Sequence, residues 1–272
     1  MVTIIQAVLL GILQGATEFI PVSSSGHLVL IPWLLGWESP GLTLTVAVHA
    51  GTALAVLLYF WRDWLDMAQG ALNWLRTRDS GTPAFRLLLL ILLGSLPAAV
   101  VGGLFEDFFA SVFERPLIAA LMLMVTAAIL IVGERLGGLT RQVGDLTWAD
   151  SLFIGFAQAL AIFPGVSRSG ATIAAGRLRD MKRADAARFS FLLATPVIVG
   201  AGLLQLVKLI GAGVGSSETL MLLAGFVAAL LTGYLVIRWL LHFLRTRSTL
   251  VFAVYCVLAS AFSLAIFVIR GG

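Results

Sequence analysis

The sequence predicts an all-α integral membrane protein with six transmembrane helices and two re-entrant helix–loop–helix pairs, arranged as an inverted-topology repeat. Three observations lead to this prediction. Apolar residues make up 60% of the 272 residues and charged residues 12%, whereas soluble domains have roughly 25% charged residues. A polar motif interrupts the apolar chain twice, at a fixed spacing. Lysine and arginine are concentrated on one side of the predicted membrane.

Six apolar runs are each close to the roughly 20 residues that a helix needs to cross the hydrocarbon core. A helix at the surface of a soluble protein has a polar face, and most of these runs lack one. The runs are Leu42–Trp61, Phe85–Phe105, Pro116–Gly133, Phe189–Val207, Thr219–Ile237 and Leu250–Ile269. The chain's single cysteine, Cys256, lies in the last run, so an intrachain disulfide is excluded.

The segment EFIPVSSSGH, residues 18–27, follows an apolar stretch and breaks it. Proline and glycine end helices, and non-helical backbone is tolerated at membrane depth only where protein covers it or water reaches it. We interpret Gly11–Leu35 and Gly155–Leu178 as re-entrant pairs, in which one short helix enters the membrane and a second returns. The alternative for each segment is an ordinary transmembrane helix with a polar end.

The segments Gly11–His27 and Gly155–Ala171 align without a gap when the sequence is shifted by 144 residues. They are identical at seven of 17 positions, against about one or two by chance. The identical pairs are Gly11/Gly155, Gln14/Gln158, Phe19/Phe163, Val22/Val166, Ser23/Ser167, Ser25/Ser169 and Gly26/Gly170. We therefore predict two repeats, residues 1–144 and 145–272, each with a re-entrant pair and three spans, within one membrane domain.

Three spans per repeat would invert the second repeat relative to the first, as in many transporters. In that topology one side of the membrane carries 14 lysines and arginines and the other side three, so the first side is predicted to be cytoplasmic. This count treats residues 61–86 as a cytoplasmic loop. The first re-entrant pair then enters from the outer face, the second enters from the cytoplasm, and their loops meet within the membrane. Flanking basic residues also account for the net charge of +4, so no nucleic-acid partner is expected.

The residues that the two loops share are those that a polar turn around an anion needs. Glycine lets the backbone approach a ligand closely, and serines with free N–H groups at a helix start form a cradle for anions. A structural role in satisfying the backbone of the turn is the alternative for each serine. The candidate phosphate-binding residues are Ser23, Ser25, Gly26, Gly165, Ser167, Ser169, Gly170 and Thr172.

The two loops differ in their chemistry. The first has an acid, a hydroxyl and an imidazole at Glu18, Ser24 and His27, and the second has Arg168 at the position of Ser24. A guanidinium presents a planar fork of donors that suits phosphate oxygens, so an anionic, phosphorylated substrate is predicted. Structural alternatives remain open for these residues, and Arg168 in particular could serve to pair with Glu18.

At these residues the sequence resembles the integral-membrane undecaprenyl-diphosphate phosphatases, a family associated with bacitracin resistance. QGATEFIPVSSSGH resembles the first family motif, (E/Q)xxxE followed by PVSSxGH, and PGVSRSGAT resembles the second, PGxSRSxxT. The matching residues are Gln14, Glu18, Pro21, Val22, Ser23, Ser24, Gly26 and His27, then Pro164, Gly165, Ser167, Arg168, Ser169 and Thr172. Length and hydropathy also fit the family from end to end.

The resemblance implies hydrolysis of the terminal phosphate of undecaprenyl diphosphate, which releases the monophosphate carrier for peptidoglycan synthesis. It also implies a multi-pass protein of the bacterial inner membrane, with the active site opening to the periplasmic face, and a divalent cation, Mg²⁺ or Ca²⁺. Such cations bind carboxylate and phosphate oxygens, so Glu18 and Gln14 are the candidate metal ligands. Because Gln14 stands where some members have a glutamate, Glu18 would be the principal acidic ligand or base.

Ser24 is the predicted nucleophile and His27 its proton carrier. Residues three apart lie on one helix face, and a serine hydroxyl needs a base within hydrogen-bond reach. Glu18 with the cation, and Arg168, would hold the diphosphate. The alternative is a water activated by the metal or by His27, with Ser24 only hydrogen-bonding the phosphate.

The main rival function is a membrane transporter or lipid flippase for an anionic substrate, because inverted repeats and re-entrant loops suit alternating access. A type-2 phosphatidic acid phosphatase is rejected, since its motif requires a histidine where this chain has Ala174. The expected partners are a long-chain isoprenyl diphosphate lipid and the bilayer. A homodimer is left open.

Overall fold

The computed structural model of the protein describes residues 2–78, 81–105, 115–163, 165–212 and 216–271, which form eleven α-helices. The helices are α1 (Ile4–Phe19), α2 (Ser24–Leu35), α3 (Gly41–Tyr59), α4 (Trp61–Thr77), α5 (Pro83–Leu104), α6 (Pro116–Leu136), α7 (Trp148–Leu160), α8 (Arg168–Leu178), α9 (Arg183–Ala212), α10 (Ser216–Phe243) and α11 (Leu250–Ile269). Within these residues the only β-structure is an isolated bridge between Arg141 and Met181. The predicted all-α class is therefore confirmed.

Five of the described helices are long and apolar enough to cross a membrane: α3, α5, α6, α10 and α11. They contain five of the six predicted runs. The sixth run, Phe189–Val207, lies within the 30-residue helix α9. The structure does not describe most side chains in the last part of this run. The sixth span therefore stays a prediction.

Two helix–loop–helix pairs lie at the places where the sequence predicts re-entrant segments. Helices α1 and α2 have 16 and 12 residues, and α7 and α8 have 13 and 11. At 1.5 Å per residue they are about 17–24 Å long, less than the roughly 30 Å of hydrocarbon in a bilayer. Each pair is thus made of helices too short to span alone. Re-entry from one face of the membrane stays a prediction.

The helix caps follow the same 144-residue spacing as the sequence motif. Thr3 caps α1 and Thr147 caps α7, each through a capping box. Ser23 caps α2 by accepting from the N–H of Gly26 at 3.2 Å. Ser167 caps α8 in the same way. An N-cap side chain satisfies backbone donors that the first turn leaves open. The same 144-residue spacing therefore separates the start of α1 from that of α7 and the start of α2 from that of α8.

The two halves of the chain pack across each other. Helix α1 packs on α10, and α7 packs on α5. At both crossings two glycines meet: a Cβ on Gly11 would lie 2.3 Å from the carbonyl oxygen of Gly225, and one on Gly155 would lie 2.2 Å from that of Gly94. Backbones this close leave no room for a side chain. The crossed packing is what interlocked repeats would produce, while the repeat boundary at residue 144 stays a prediction.

The prediction of a loop over residues 61–86 is wrong, because Trp61–Thr77 forms the amphipathic helix α4. Its apolar side chains Trp61, Leu65, Leu72 and Leu75 are about half exposed. Charged residues between them lower the average hydropathy, so a search for uniformly apolar runs misses the helix. Its periodicity of apolar residues is the signal that identifies such a helix.

A buried carboxylate fixes the start of the second pair. Asp150, in the first turn of α7, is fully buried and pairs with Arg141 at 2.7 Å and with Arg179 at 2.5 Å. It also accepts a hydrogen bond from the backbone N–H of Thr147 at 2.9 Å. Burial by itself raises the pKa of the Asp150 carboxyl, but these hydrogen bonds outweigh it and hold the pKa well below its usual range. Asp150 therefore ties both ends of the pair to one another as a charged group.

Candidate active site

The two predicted loops are in contact. The backbone N–H of Gly165 donates to the hydroxyl of Ser25 at 3.4 Å. The hydroxyl of Ser169 donates to the carbonyl of Ile20, also at 3.4 Å. The guanidinium of Arg168 crosses between the loops to pair with Glu18. The sequence-predicted meeting of the loops is therefore present in the structure.

Glu18 is the centre of this cluster. It lies near the end of α1 and is 8% exposed. Its Oε2 accepts from the hydroxyl of Ser24 at 2.5 Å and from Nε2 of Gln14 at 2.9 Å. Its Oε1 accepts from Arg168. Both repeats thus contribute to one hydrogen-bonded group, in which a serine hydroxyl donates directly to a carboxylate.

His27 does not have the partner that the sequence predicts. Its Nδ1 lies 2.7 Å from the carbonyl oxygen of Ser23, and its Nε2 lies 2.7 Å from the phenol oxygen of Tyr255. The predicted bond from His27 to Ser24 is absent, because the Ser24 hydroxyl points back to Glu18. With α2 beginning at Ser24, the His27 ring instead reaches the carbonyl four residues earlier, at the cap. The partner for the Ser24 proton in this structure is therefore Glu18.

The backbone is strained in the first loop and needs glycine in the second. Ser23 has φ 72° and ψ 98°, a conformation that residues other than glycine rarely adopt. Gly165 has φ +91°, and a Cβ there would lie 2.6 Å from Cβ of Met122 and 2.7 Å from the carbonyl oxygen of Ala119. Strain of this kind persists where the surrounding structure fixes it, often at functional sites.

The start of α2 lies beside the start of α8 at this contact, so the N-termini of two helices face the same region. Helix N-termini carry partial positive charge and attract anions. The hydroxyls of Ser23 and Ser167 are occupied as caps and lie 3.3 and 3.2 Å from those of Ser25 and Ser169. The capping hydroxyls are therefore less available to a phosphate than the backbone N–H groups and the hydroxyls of Ser25 and Ser169.

Thr172 is turned away from this region. Its hydroxyl donates to the carbonyl of Arg168 at 2.8 Å and shares a hydrogen bond with Ser190 at 2.6 Å. The residue is buried. This geometry favours a role in holding α8 against α9 rather than the phosphate contact that its place in the motif predicts.

Two residues outside the motifs contact the candidate site. Thr126 of α6 donates to the carbonyl of Gly165 at 3.1 Å and accepts from the N–H of Ser167 at 2.9 Å, so it holds the backbone immediately before Arg168. Tyr255 of α11 contacts His27. Both lie in uniformly apolar runs, where nothing in the local sequence marks them.

Two buried glutamines of the repeat have unpartnered polar atoms. Oε1 of Gln14 and both polar atoms of Gln158 have no hydrogen-bond partner within the described structure. Buried polar atoms are normally paired with protein or with water. For Gln14, the orphaned oxygen lies on the side chain that already contacts Glu18.

Comparison with known proteins gives a match along nearly the whole chain. A family model described as "Bacitracin resistance protein BacA" matches residues 7–262. A protein named undecaprenyl-diphosphatase from Desulforudis audaxviator is 43% identical over 266 residues, 98% of each chain. Proteins of the same name are 43% identical in Moorella thermoacetica, over 98% of this chain and 99% of that one, and 44% identical in Rubrobacter xylanophilus, over 94% and 95%.

Proposed function

We propose that this chain hydrolyses undecaprenyl diphosphate to undecaprenyl monophosphate and inorganic phosphate. The chain belongs to the bacitracin resistance protein BacA family, whose model matches residues 7–262. The monophosphate is the lipid carrier that returns to cell-wall synthesis. The similar proteins are named undecaprenyl-diphosphatase, and the similarity covers nearly the full length of both chains. The observation in the structure that best supports the proposal is the cluster of Ser24, Glu18 and Arg168, assembled from two loops that lie far apart in sequence.

The substrate suits a multi-pass membrane protein. Five long apolar helices pack against the short pairs, and a long isoprenyl chain can stay among lipid tails while its diphosphate reaches the polar loops. In this interpretation the bilayer holds the substrate at the right depth. The protein has to recognise only the charged head and the first part of the tail.

In the first step the Ser24 hydroxyl attacks the terminal phosphorus. The Oγ–P bond forms and the bond from phosphorus to the bridging oxygen breaks, with its electron pair leaving on undecaprenyl monophosphate. The Ser24 proton passes to Glu18, which already accepts its hydrogen bond at 2.5 Å. A base within hydrogen-bond reach is what a serine needs to become a nucleophile. Glu18 takes over the role that the sequence predicts for His27.

In the second step water attacks the phosphoserine. A new O–P bond forms, the Oγ–P bond breaks, and the proton held by Glu18 returns to Ser24. His27 accepts the proton of the attacking water. The alternative route has water attack the diphosphate directly, with Ser24 and Glu18 orienting it. Both routes give the same products and differ in whether a phosphoserine forms.

Arg168 stabilises the charge on the transferring phosphoryl group. In the free protein it pairs with Glu18. A diphosphate that enters offers it better-matched oxygens, because a guanidinium fork binds phosphate in a bidentate manner. Such donors act most strongly where charge develops in the transition state. The facing N-termini of α2 and α8 add fixed partial charges of the same sign.

A divalent cation, Mg²⁺ or Ca²⁺, fits the donors that are present. Glu18 offers carboxylate oxygens and Gln14 an unpartnered buried amide oxygen, the oxygen ligands that hard cations prefer. Among the described residues, no three acidic, histidine or cysteine side chains lie close enough together to hold a metal ion by themselves. The substrate phosphates would therefore complete the coordination. Bound there, the cation would neutralise phosphate charge and act as a Lewis acid.

We extend the proposal to topology: six spans, inverted repeats and a site that opens to the periplasmic face. The short loop-joined pairs and the excess of basic residues on one predicted side support it. Single cysteines at Asp145 and at Gly213, which lies outside the described residues, should react with a membrane-impermeant reagent from the cytoplasm and from outside, respectively. Labelling of both from one side would refute the inverted repeat.

The decisive test of function is phosphate release. Detergent-purified protein should release inorganic phosphate from undecaprenyl diphosphate, and chelation of divalent cations should stop it. The rival function, a transporter or lipid flippase, predicts no phosphate release at any protein concentration. The names of the relatives give that rival no support.

A further inference from the structure

We propose that Tyr255 is a positioning residue of the active site, which acts by donating a hydrogen bond from its phenol to Nε2 of His27. The inference rests on the proposed phosphatase function. It assigns to α11, in the second half of the chain, a role in the chemistry of the first loop. Its basis is the geometry around one buried imidazole.

Both nitrogens of His27 are hydrogen-bonded, and the residue is 3% exposed. Nδ1 lies 2.7 Å from the carbonyl oxygen of Ser23. Because a carbonyl can only accept, Nδ1 must carry a proton. In the neutral ring Nε2 then has a lone pair, and Tyr255, at 2.7 Å, donates to it. The network therefore selects one of the two tautomers.

The two rings also fix the plane of the imidazole. Their centroids are 5.6 Å apart and their planes differ by 14°, so they lie nearly parallel. A side chain held by two hydrogen bonds and a flat contact has little freedom to turn. Pre-organised catalytic groups of this kind need no reorganisation during the reaction.

Helix α11 is held in place at other points. Ser260 donates to the carbonyl of Ala120 in α6 at 2.7 Å. Arg270, at the end of α11, donates to the carbonyls of Trp33 and Leu34 at 2.8 and 2.9 Å, at the end of α2. At the other end, the hydroxyl of Thr249 donates to Oε2 of Glu134 at 2.8 Å. Tyr255 therefore approaches His27 from a helix anchored on both sides, and its phenol is not needed to dock α11.

The position matters because Nε2 is the nitrogen of His27 that can accept a proton. In the second step of the proposed reaction His27 receives a proton from water. With Nδ1 occupied by the Ser23 carbonyl, Nε2 has to remain an unprotonated acceptor. The phenol of Tyr255 stabilises that form. Nε2 has only one lone pair, so the attacking water takes the place of the phenol when it delivers its proton to that nitrogen.

The test compares Tyr255→Phe with Tyr234→Phe in the full-length protein. Phenylalanine keeps the ring and removes only the hydroxyl. Tyr234, on α10, is similarly exposed and contacts Tyr59 rather than His27. We expect kcat to fall about tenfold in Tyr255→Phe, as loss of one hydrogen bond to a reacting group would give, with KM nearly unchanged. Tyr234→Phe should match the parent.

A double-mutant comparison separates positioning from general stability. In a His27→Asn background, adding Tyr255→Phe should change kcat no further, since the phenol acts through the imidazole. A further tenfold loss in that background would overturn the proposal. Equal kcat in Tyr255→Phe and the parent would overturn it as well.

The resting protein gives a readout that does not depend on activity. The chain has three histidines, His27, His49 and His242, so ¹⁵N-histidine NMR spectra can be assigned by substitution. His27 should appear as the neutral Nδ1–H tautomer, and its Nε2 signal should move in Tyr255→Phe while the other two histidines stay. A ring protonated on Nε2 in the parent would refute the assignment. If the parent releases no phosphate, the phosphatase proposal fails, and this spectrum still tests the contact.

Discussion

The hydroxyl of Ser24 donates to Oε2 of Glu18 at 2.5 Å, across the four-residue turn that joins α1 to α2. In the proposed reaction this is the contact between the nucleophile and its base. It also makes Ser24 and Glu18 a unit, since neither group can be changed without altering the other's hydrogen bonding.

Ser24→Ala should reduce turnover of undecaprenyl diphosphate by roughly 10²–10⁴-fold, because the hydroxyl and its base act together. Stopped reactions of the parent with ³²P-labelled substrate should yield a phosphopeptide that contains Ser24, and the variant should yield none. The exposed Ser39→Ala serves as the control and should behave like the parent. Substantial activity in Ser24→Ala would leave water as the attacking group.

Glu18→Gln should keep the fold and lose turnover by a similar factor, since an amide cannot take the Ser24 proton. The measurement is phosphate release over a titration of Mg²⁺, after removal of bound cations. The exposed Glu218→Gln at the start of α10 should leave both the rate and the metal requirement unchanged. A Glu18→Gln protein with nearly the parent rate and the same metal requirement would show that Glu18 is structural.

Arg168→Lys should lower kcat by at least about 100-fold while the protein stays folded. Lysine keeps the positive charge but lacks the planar fork that binds two phosphate oxygens, and removal of one transition-state donor costs roughly this much. Arg188→Lys is the matched control, because Arg188 pairs with Asp63 away from the loops. Near-normal turnover in Arg168→Lys would mean that the residue contributes only general positive charge.

Thr126→Val should lower activity about tenfold and also destabilise the protein. Valine has nearly the same shape, but the N–H of Ser167 loses its acceptor, and an unsatisfied buried donor costs about 1–3 kcal/mol. Thr126→Ser keeps the hydroxyl and should restore both properties. Activity and the thermal midpoint of unfolding are measured together. If Thr126→Val matches Thr126→Ser, the loop that carries Arg168 is held by other contacts.

Most of the architecture can be predicted from the amino-acid sequence, because the signals that specify it are local or periodic. Apolar runs of membrane length predict five helices that the structure contains. The 144-residue spacing predicts where both loops lie, and Pro21 and the serines mark where the helices break. A search for uniformly apolar runs does not find helix α4, because charged residues interrupt its apolar positions. A search for helical periodicity would find it.

Which side chains meet in the candidate site depends on how the helices pack. The motif places Ser24 and His27 three residues apart, and spacing on a helix favours their pairing. The strained cap at Ser23 turns the Ser24 hydroxyl toward Glu18 and leaves His27 to Tyr255, which lies 228 residues away in the chain. Thr126 hydrogen-bonds the second loop from α6, a uniformly apolar helix whose sequence does not mark this residue. Partners this distant are chosen by how the helices pack across each other, and that packing leaves no mark in the sequence around the motif.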